Sequence, residues 1–161
     1  MTLIVRDAKP DDAVAGCEVM CRSIAELCVA DHRGDPVILE RWLGNKTPDN
    51  FNAWIAQPGN SLMVAVENER ILAVGSVTDV GEITLNYVSP DARFRGVSRA
   101  MLAALEMRAA DRGCTACSLK STQTARRFYL ANGYAEAGQP AGHFGTTAGY
   151  PMLKALGEAG A

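Results

Sequence analysis

Between Gly81 and Gly113 the hydrophobic pattern changes period once, and that change narrows the folds open to this chain. Ile83, Thr84, Leu85, Tyr87 and Val88 form a strand-like run that stops at Ser89-Pro90. Past a short loop holding Arg93, Arg95 and Gly96, the apolar residues Val97, Met101, Leu102, Leu105 and Ala109 recur at helical spacing, closed by Gly113. The N–H groups of a first helical turn converge on one spot, and the helix dipole favours negative charge there. Strand, basic loop and helix start are therefore the parts of a phosphate cradle, although an ordinary surface loop has the same composition. No GxxxxGK[ST] or GxGxxG occurs, so neither the P-loop nor the dinucleotide fingerprint applies.

The rest of the chain reads as one α/β domain spanning residues 1–161, a natural size for a single core. Residues 3–6 predict a first strand, and Pro10-Asp11-Asp12 opens a helix whose apolar stripe is Val14, Cys17, Cys21, Ile24, Leu27 and Cys28. Short helices are expected over 37–43 and from Thr47-Pro48-Asp49 to Pro58-Gly59. Strands follow at 62–66 and 71–77, joined by the polar link 67–70, then at 82–88 and 114–120. A helix over 123–131 ends near Gly133, and a final strand pair at 134–137 and about 147–153 flanks Gly142-His143-Phe144-Gly145. Pro151 predicts an edge strand or a bulge. The sheet should be mixed, antiparallel early and parallel across the crossover between 82 and 120.

Bulk properties exclude several classes. A hydrophobic content of 48% with 21% charged residues is globular rather than disordered composition. The net charge of −2 gives no global field for nucleic acid or an anionic membrane, so a phosphate-bearing ligand needs a local basic site. The first residues lack an apolar signal core and no window approaches a membrane span, which makes a cytoplasmic protein the expectation. Cys17, Cys21 and Cys28 share a helix face and read as core thiols. Cys114 and Cys117 form a CxxC, but an odd offset in a strand points them to opposite faces, so no metal is expected.

Two further signals stand downstream: Ser121-Thr122 followed by Ala125, then Phe128-Tyr129-Leu130-Ala131-Asn132-Gly133-Tyr134. Together with the loop, in which Arg93 and Gly96 fill an Arg/Gln-x-x-Gly-x-Gly/Ala pattern, this stretch of some fifty residues resembles the GNAT superfamily of acyl-coenzyme-A-dependent N-acyltransferases. Ser98 departs from the usual third glycine or alanine, and Phe94 stands where many members carry glycine. The resemblance implies a GNAT-like mixed, largely antiparallel central sheet flanked by helices, with a splayed central strand pair.

It also implies site roles. The N–H groups from Phe94 through Arg95, Gly96, Val97 and Ser98 to Arg99 would cradle the pyrophosphate of coenzyme A, with Arg93, Arg95 and Arg99 adding charge. Backbone near Tyr87 and Val88 would bind pantetheine, and the Val88 N–H would polarise the thioester carbonyl. Thr122 would bond pantetheine or cap the following helix. Tyr129 would protonate the departing thiolate, and Glu82 would act through water as general base. Independently of family, the polar row Glu82, Thr84 and Asn86 on a strand that should be covered on both faces suggests a wet cleft.

The implied reaction is transfer of an acetyl group from acetyl-coenzyme A to a primary amine of a small molecule or peptide, by direct attack in a ternary complex. No metal, nucleic acid or membrane partner is expected, and homodimers are common in the family. The acids Glu18, Glu26, Asp31 and Asp35, with His32, Trp42 and Trp54, are candidates to border a cationic acceptor, and His143-Phe144 to border it from the other side. A tRNA-modifying relative is disfavoured by the charge. A non-catalytic acyl-coenzyme-A sensor of the same fold is the rival from another class; Ser98 and Phe94 favour it and Tyr129 opposes it.

Overall fold

The computed structural model describes residues 2–142 and 149–157. Strands β1 (Ile4–Asp7), β2 (Asn60–Glu67), β3 (Arg70–Thr78) and β4 (Ile83–Val88) pair antiparallel in that order. A second antiparallel sheet has the order β5 (Ala116–Ser121), β7 (Tyr150–Ala155), β6 (Ala135–Glu136). Helices α1 (Ala13–Leu27), α2 (Val29–His32), α3 (Pro36–Leu43) and α4 (Pro48–Ala56) lie between β1 and β2; α5 (Val97–Asp111) and α6 (Arg126–Ala131) flank β5 in sequence.

Local chemistry explains most boundaries. The side chains of Asp35 and Thr47 accept hydrogen bonds from Val37 N and Asn50 N, and proline follows each as the first helical residue. The link between β2 and β3 contracts to Asn68-Glu69, both at positive φ (52° and 63°), the mirror-image turn that suits the twist of a two-residue hairpin. The core has two faces. On one, Met101, Leu102 and Leu105 of α5 pack with Met63, Ala73 and Met152; on the other, Cys17 and Met20 of α1 and Phe51 of α4 pack with Val64 and Val74.

The backbones of the two sheets bridge at one place. Ser118 N donates to Gly81 O at 2.9 Å, beside a single parallel bridge between Glu82 and Ser118. Gly81 has φ +85°, and a Cβ there would stand 2.3 Å from the Ala116 carbonyl oxygen, so only glycine lets the strands approach. Past that contact β4 and β5 share no ladder. Next to it, Ser76 pairs with Leu85 while Val77 pairs with Ile83, which leaves Thr84 as an extra residue in β4, a bulge.

Three expectations need correction. The parallel crossover is one bridge rather than a ladder. The bulge breaks the alternation of β4, so Ile83 joins the α5-side core while Leu85 and Tyr87 pack against the α1 side. Pro151 lies in the middle strand of its sheet, not at an edge. Its carbonyl accepts from Ala137 N at 2.8 Å, so its missing N–H faces β6, where that two-residue strand has already ended. Two starts also move: β5 begins at Ala116 because Cys114 Sγ still bonds Asp79 O, and α6 begins at Arg126 because Thr122 Oγ1 accepts from Ala125 N in a preceding turn.

Candidate active site

The divergence of β4 from β5 opens a cavity of about 720 Å³, walled by β4, β5, the loop ahead of α5, the end of α1 and α6. Backbone direction along β4 follows from its register. Ser89 N donates to Leu72 O at 2.7 Å, and Tyr87 and Leu85 sit opposite Val74 and Ser76, so these residues spend their backbone groups on β3. The intervening Val88 and Asn86 therefore turn theirs away from β3, into the gap. Val88 thus turns its backbone into the gap. The backbone of Tyr87 faces β3, and its side chain lines the cavity and reaches Trp42, whose Nε1 donates to its hydroxyl at 3.1 Å.

At one end of the cavity lies the cradle. Phe94 (φ +62°) and Gly96 (φ +80°) are left-handed, and the first helical bond runs from Ala100 N to Gly96 O. The N–H groups of Val97, Ser98 and Arg99 thus precede the helix ladder, at the positive end of a 15-residue α5. A Cβ built on Gly96 meets no atom within 4 Å, so the backbone there stands open to a ligand. Arg93, Phe94, Ser98 and Arg99 line the same cavity. Arg95 turns elsewhere and pairs with Glu67 at 2.7 Å.

Tyr129 is the polar centre of the other end. Its ring is 5% exposed, edge-on to Phe128 and Tyr134, and its hydroxyl accepts from Asn86 Nδ2 at 3.0 Å. Burial pushes its pKa up to about 12, against a smaller lowering by the Asn86 bond. The hydroxyl therefore keeps its proton at physiological pH, and with a lone pair engaged by Asn86 it can donate that proton to a group in the cavity. The polar row of β4 foreshadowed a wet cleft, but nothing local in the sequence singled out Asn86 as the partner of Tyr129.

A second cavity of about 390 Å³ adjoins the first along the same gap; Thr84, Tyr87, Lys120, Ser121 and Thr122 line both. Its wall also carries Asp31, Trp42, Lys46 and the exposed Glu82, whose backbone forms the bridge to Ser118. Lys46 is 6% exposed, donates to Asn45 Oδ1 and lies over the Tyr87 ring, and burial pushes its pKa down to about 8. Sequence reasoning missed it, since its surroundings come from distant elements.

Three of the acids gathered around the first helix make bonds within the fold. Asp31, 1% exposed, accepts from Gln123 N, Thr124 N and Thr124 Oγ1, and so anchors the turn that leads into α6. Asp35 caps α3 and Glu26 pairs with Arg22. His32 is buried: its Nδ1 accepts from Gly34 N, which assigns the ring proton to Nε2, a donor to Ala25 O. His143 and Phe144 lie outside the described residues. Among the described residues no group of three or more His, Cys, Asp or Glu side chains is disposed to hold a metal ion, and no helix is long and apolar enough to cross a membrane.

Comparison with known proteins agrees with this geometry. The structure from Rhodopseudomonas palustris described as a GCN5-related N-acetyltransferase, aminotransferase class-II, matches with a TM-score of 0.85 at 24% identity, covering 97% of each chain. The PaiA N-acetyltransferase of Thermoplasma acidophilum, solved with coenzyme A, matches with 0.83 at 15% identity over 97% of this chain and 100% of that one. The structure of yncA from Salmonella typhimurium, described with acetyl-coenzyme A as its cofactor, gives 0.73 at 21% identity over 100% of this chain and 98% of that one. No curated protein matches the sequence. The family model for an acetyltransferase (GNAT) domain does match it, over residues 27–156, and with the splayed strands and the open helix start this makes the chain a member of the GNAT acetyltransferase family.

Proposed function

We propose that this protein transfers an acetyl group from acetyl-coenzyme A to a primary amine of a small molecule or peptide, by direct attack in a ternary complex. The observation that carries the reading is the buried Tyr129 hydroxyl, held by Asn86 inside the gap between β4 and β5. The residues fit the cosubstrate: an open, left-handed helix start with Ser98 and Arg99 at its mouth suits a pyrophosphate, and the free backbone edge of β4 suits an amide-bearing arm. That PaiA and yncA are described with coenzyme A and acetyl-coenzyme A supports the same choice.

Acetyl-coenzyme A, when bound, supplies an activated thioester. The chain's own residues do the rest. The Val88 N–H, turned into the gap, donates to a carbonyl oxygen on which negative charge builds. Tyr129 holds a proton at its phenolic oxygen and gives it to the departing sulfur. Glu82, on the wall of the second cavity, accepts a proton from the incoming ammonium through water. Arg93 and Arg99 contribute charge at the cradle, Thr122 shapes the turn at the floor of both cavities, and the acceptor enters from the second cavity. Among solved relatives, one is described as a ribosomal-protein-S18-alanine N-acetyltransferase from Escherichia coli and another as an aminoglycoside 6'-acetyltransferase, so both peptide and small-molecule amines belong in the test panel.

Thiol release from acetyl-coenzyme A in the presence of that panel tests the reading. Amine-dependent release with stoichiometric N-acetyl product is the expected result. Tight coenzyme A binding with no release above the hydrolytic background for any amine would replace the enzyme by a binding module.

A further inference from the structure

Phe94 is the most exposed large apolar side chain in the described protein, at 92%, and its backbone is left-handed at φ +62°. Both features cost stability: a ring left in water forgoes burial, and a residue with a Cβ is strained at that φ. The ring is not a loose surface group. The Arg93 guanidinium lies 4.6 Å from its centroid, in stacking range, and both residues line the cavity that holds the cradle and Tyr129.

The order of groups along the proposed cosubstrate sets what must lie there. With the sulfur at Tyr129 and the pyrophosphate at the N–H groups of Val97 to Arg99, the nucleoside end has to leave the cradle on the side away from the gap. The loop ahead of Gly96 borders that exit, and Phe94 is its ring-bearing residue. An adenine ring presents a flat π-face, the group an exposed phenyl face recognises best. Beside it, Arg93 offers a fixed cation to the ribose phosphate.

We propose that Phe94 is the stacking platform for the adenine of coenzyme A, and that it sets this chain's preference for the whole nucleotide over its phosphopantetheine fragment. This rests on the cosubstrate reading above. Arg93 braces the ring, and the strained backbone aims it.

Calorimetric titration of coenzyme A and of 4′-phosphopantetheine into wild type, Phe94→Gly and Phe94→Trp tests the assignment, with thermal midpoints measured in parallel. Phe94→Gly should weaken coenzyme A by at least about fivefold, the lower end of base stacking on an aromatic side chain, and leave phosphopantetheine within about twofold. Its thermal midpoint should stay level or rise, because glycine relieves the positive φ. Phe94→Trp should keep coenzyme A within about twofold of wild type. Unchanged coenzyme A affinity in Phe94→Gly, or equal losses for both ligands, would overturn the stacking role. Wild type that binds neither ligand would instead bring down the cosubstrate reading, and the stacking role with it.

Discussion

Asn86 Nδ2 donates to the Tyr129 hydroxyl at 3.0 Å, which ties β4 to α6 across the gap between the two sheets. The bond fills one lone pair of the phenol and leaves its O–H to donate elsewhere. Asn86 thus acts through Tyr129, as a positioning residue. Asn86→Ala should lower turnover by roughly tenfold with coenzyme A affinity within a few-fold, a smaller loss than that of a general acid. In the double variant with Tyr129→Phe, the Asn86 change should cost little more, because its object is gone. Independent, multiplying losses in that cycle would mean that Asn86 has a separate role.

The contact between the two sheets depends on Gly81. Gly81→Ala would force a Cβ into the Ala116 carbonyl, 2.3 Å away, in a backbone already at φ +85°. A loss of about 2–4 kcal/mol is expected, from strain and from movement of the strand pair. Urea unfolding measures it, and a variant as stable as wild type would show that the sheets do not rely on this approach.

The cradle makes a different demand on glycine. A Cβ on Gly96 has open space around it, so only φ +80° resists substitution. Gly96→Asp should cost about 1 kcal/mol of stability. It should lower coenzyme A affinity by more than tenfold, about 1.4 kcal/mol, because a carboxylate would face the pyrophosphate. Equal calorimetric affinity in the variant would place the phosphates away from this helix start.

Lys46 gives a pH signature. Burial lowers its pKa from 10.5 to about 8. Below that pH the folded chain carries a desolvated ammonium. Between about 8 and 10.5 it has released a proton that the unfolded chain still holds, so the contribution of Lys46 to stability rises with pH through this window. The difference in unfolding free energy between wild type and Lys46→Met should climb there and be flat below it. Nearby Tyr87, its pKa raised by burial, is present in both proteins and largely cancels; Cys21 is coupled to Lys46 and does not, so the comparison is made in a Cys21→Ala background. A flat difference throughout would mean that the lysine is well solvated.

Sequence legibility followed the range of the interactions. The strand, loop and helix between Gly81 and Gly113 were readable because a period change, Ser89-Pro90 and Gly96 are local signals. Tyr129 was reachable through the resemblance of its segment. The bonds of Asp31 were illegible because composition cannot reveal that its partners lie at Gln123 and Thr124, far along the chain. Lys46 was silent for the same reason: α1, α3 and β4 together make its pocket. Pro151 was misplaced because an edge-strand rule sees only the missing N–H, and not how short the neighbouring strand is.

Tyr129→Phe tests the central claim most directly. The substitution removes one hydroxyl and keeps the ring that packs with Phe128 and Tyr134. Steady-state turnover and coenzyme A affinity should be measured on the same preparation. Affinity should stay within a few-fold of wild type, while turnover falls by roughly 10²-fold or more, the scale of a lost general acid. A phenylalanine variant that turns over at the wild-type rate would contradict the account and remove Tyr129 from the chemistry.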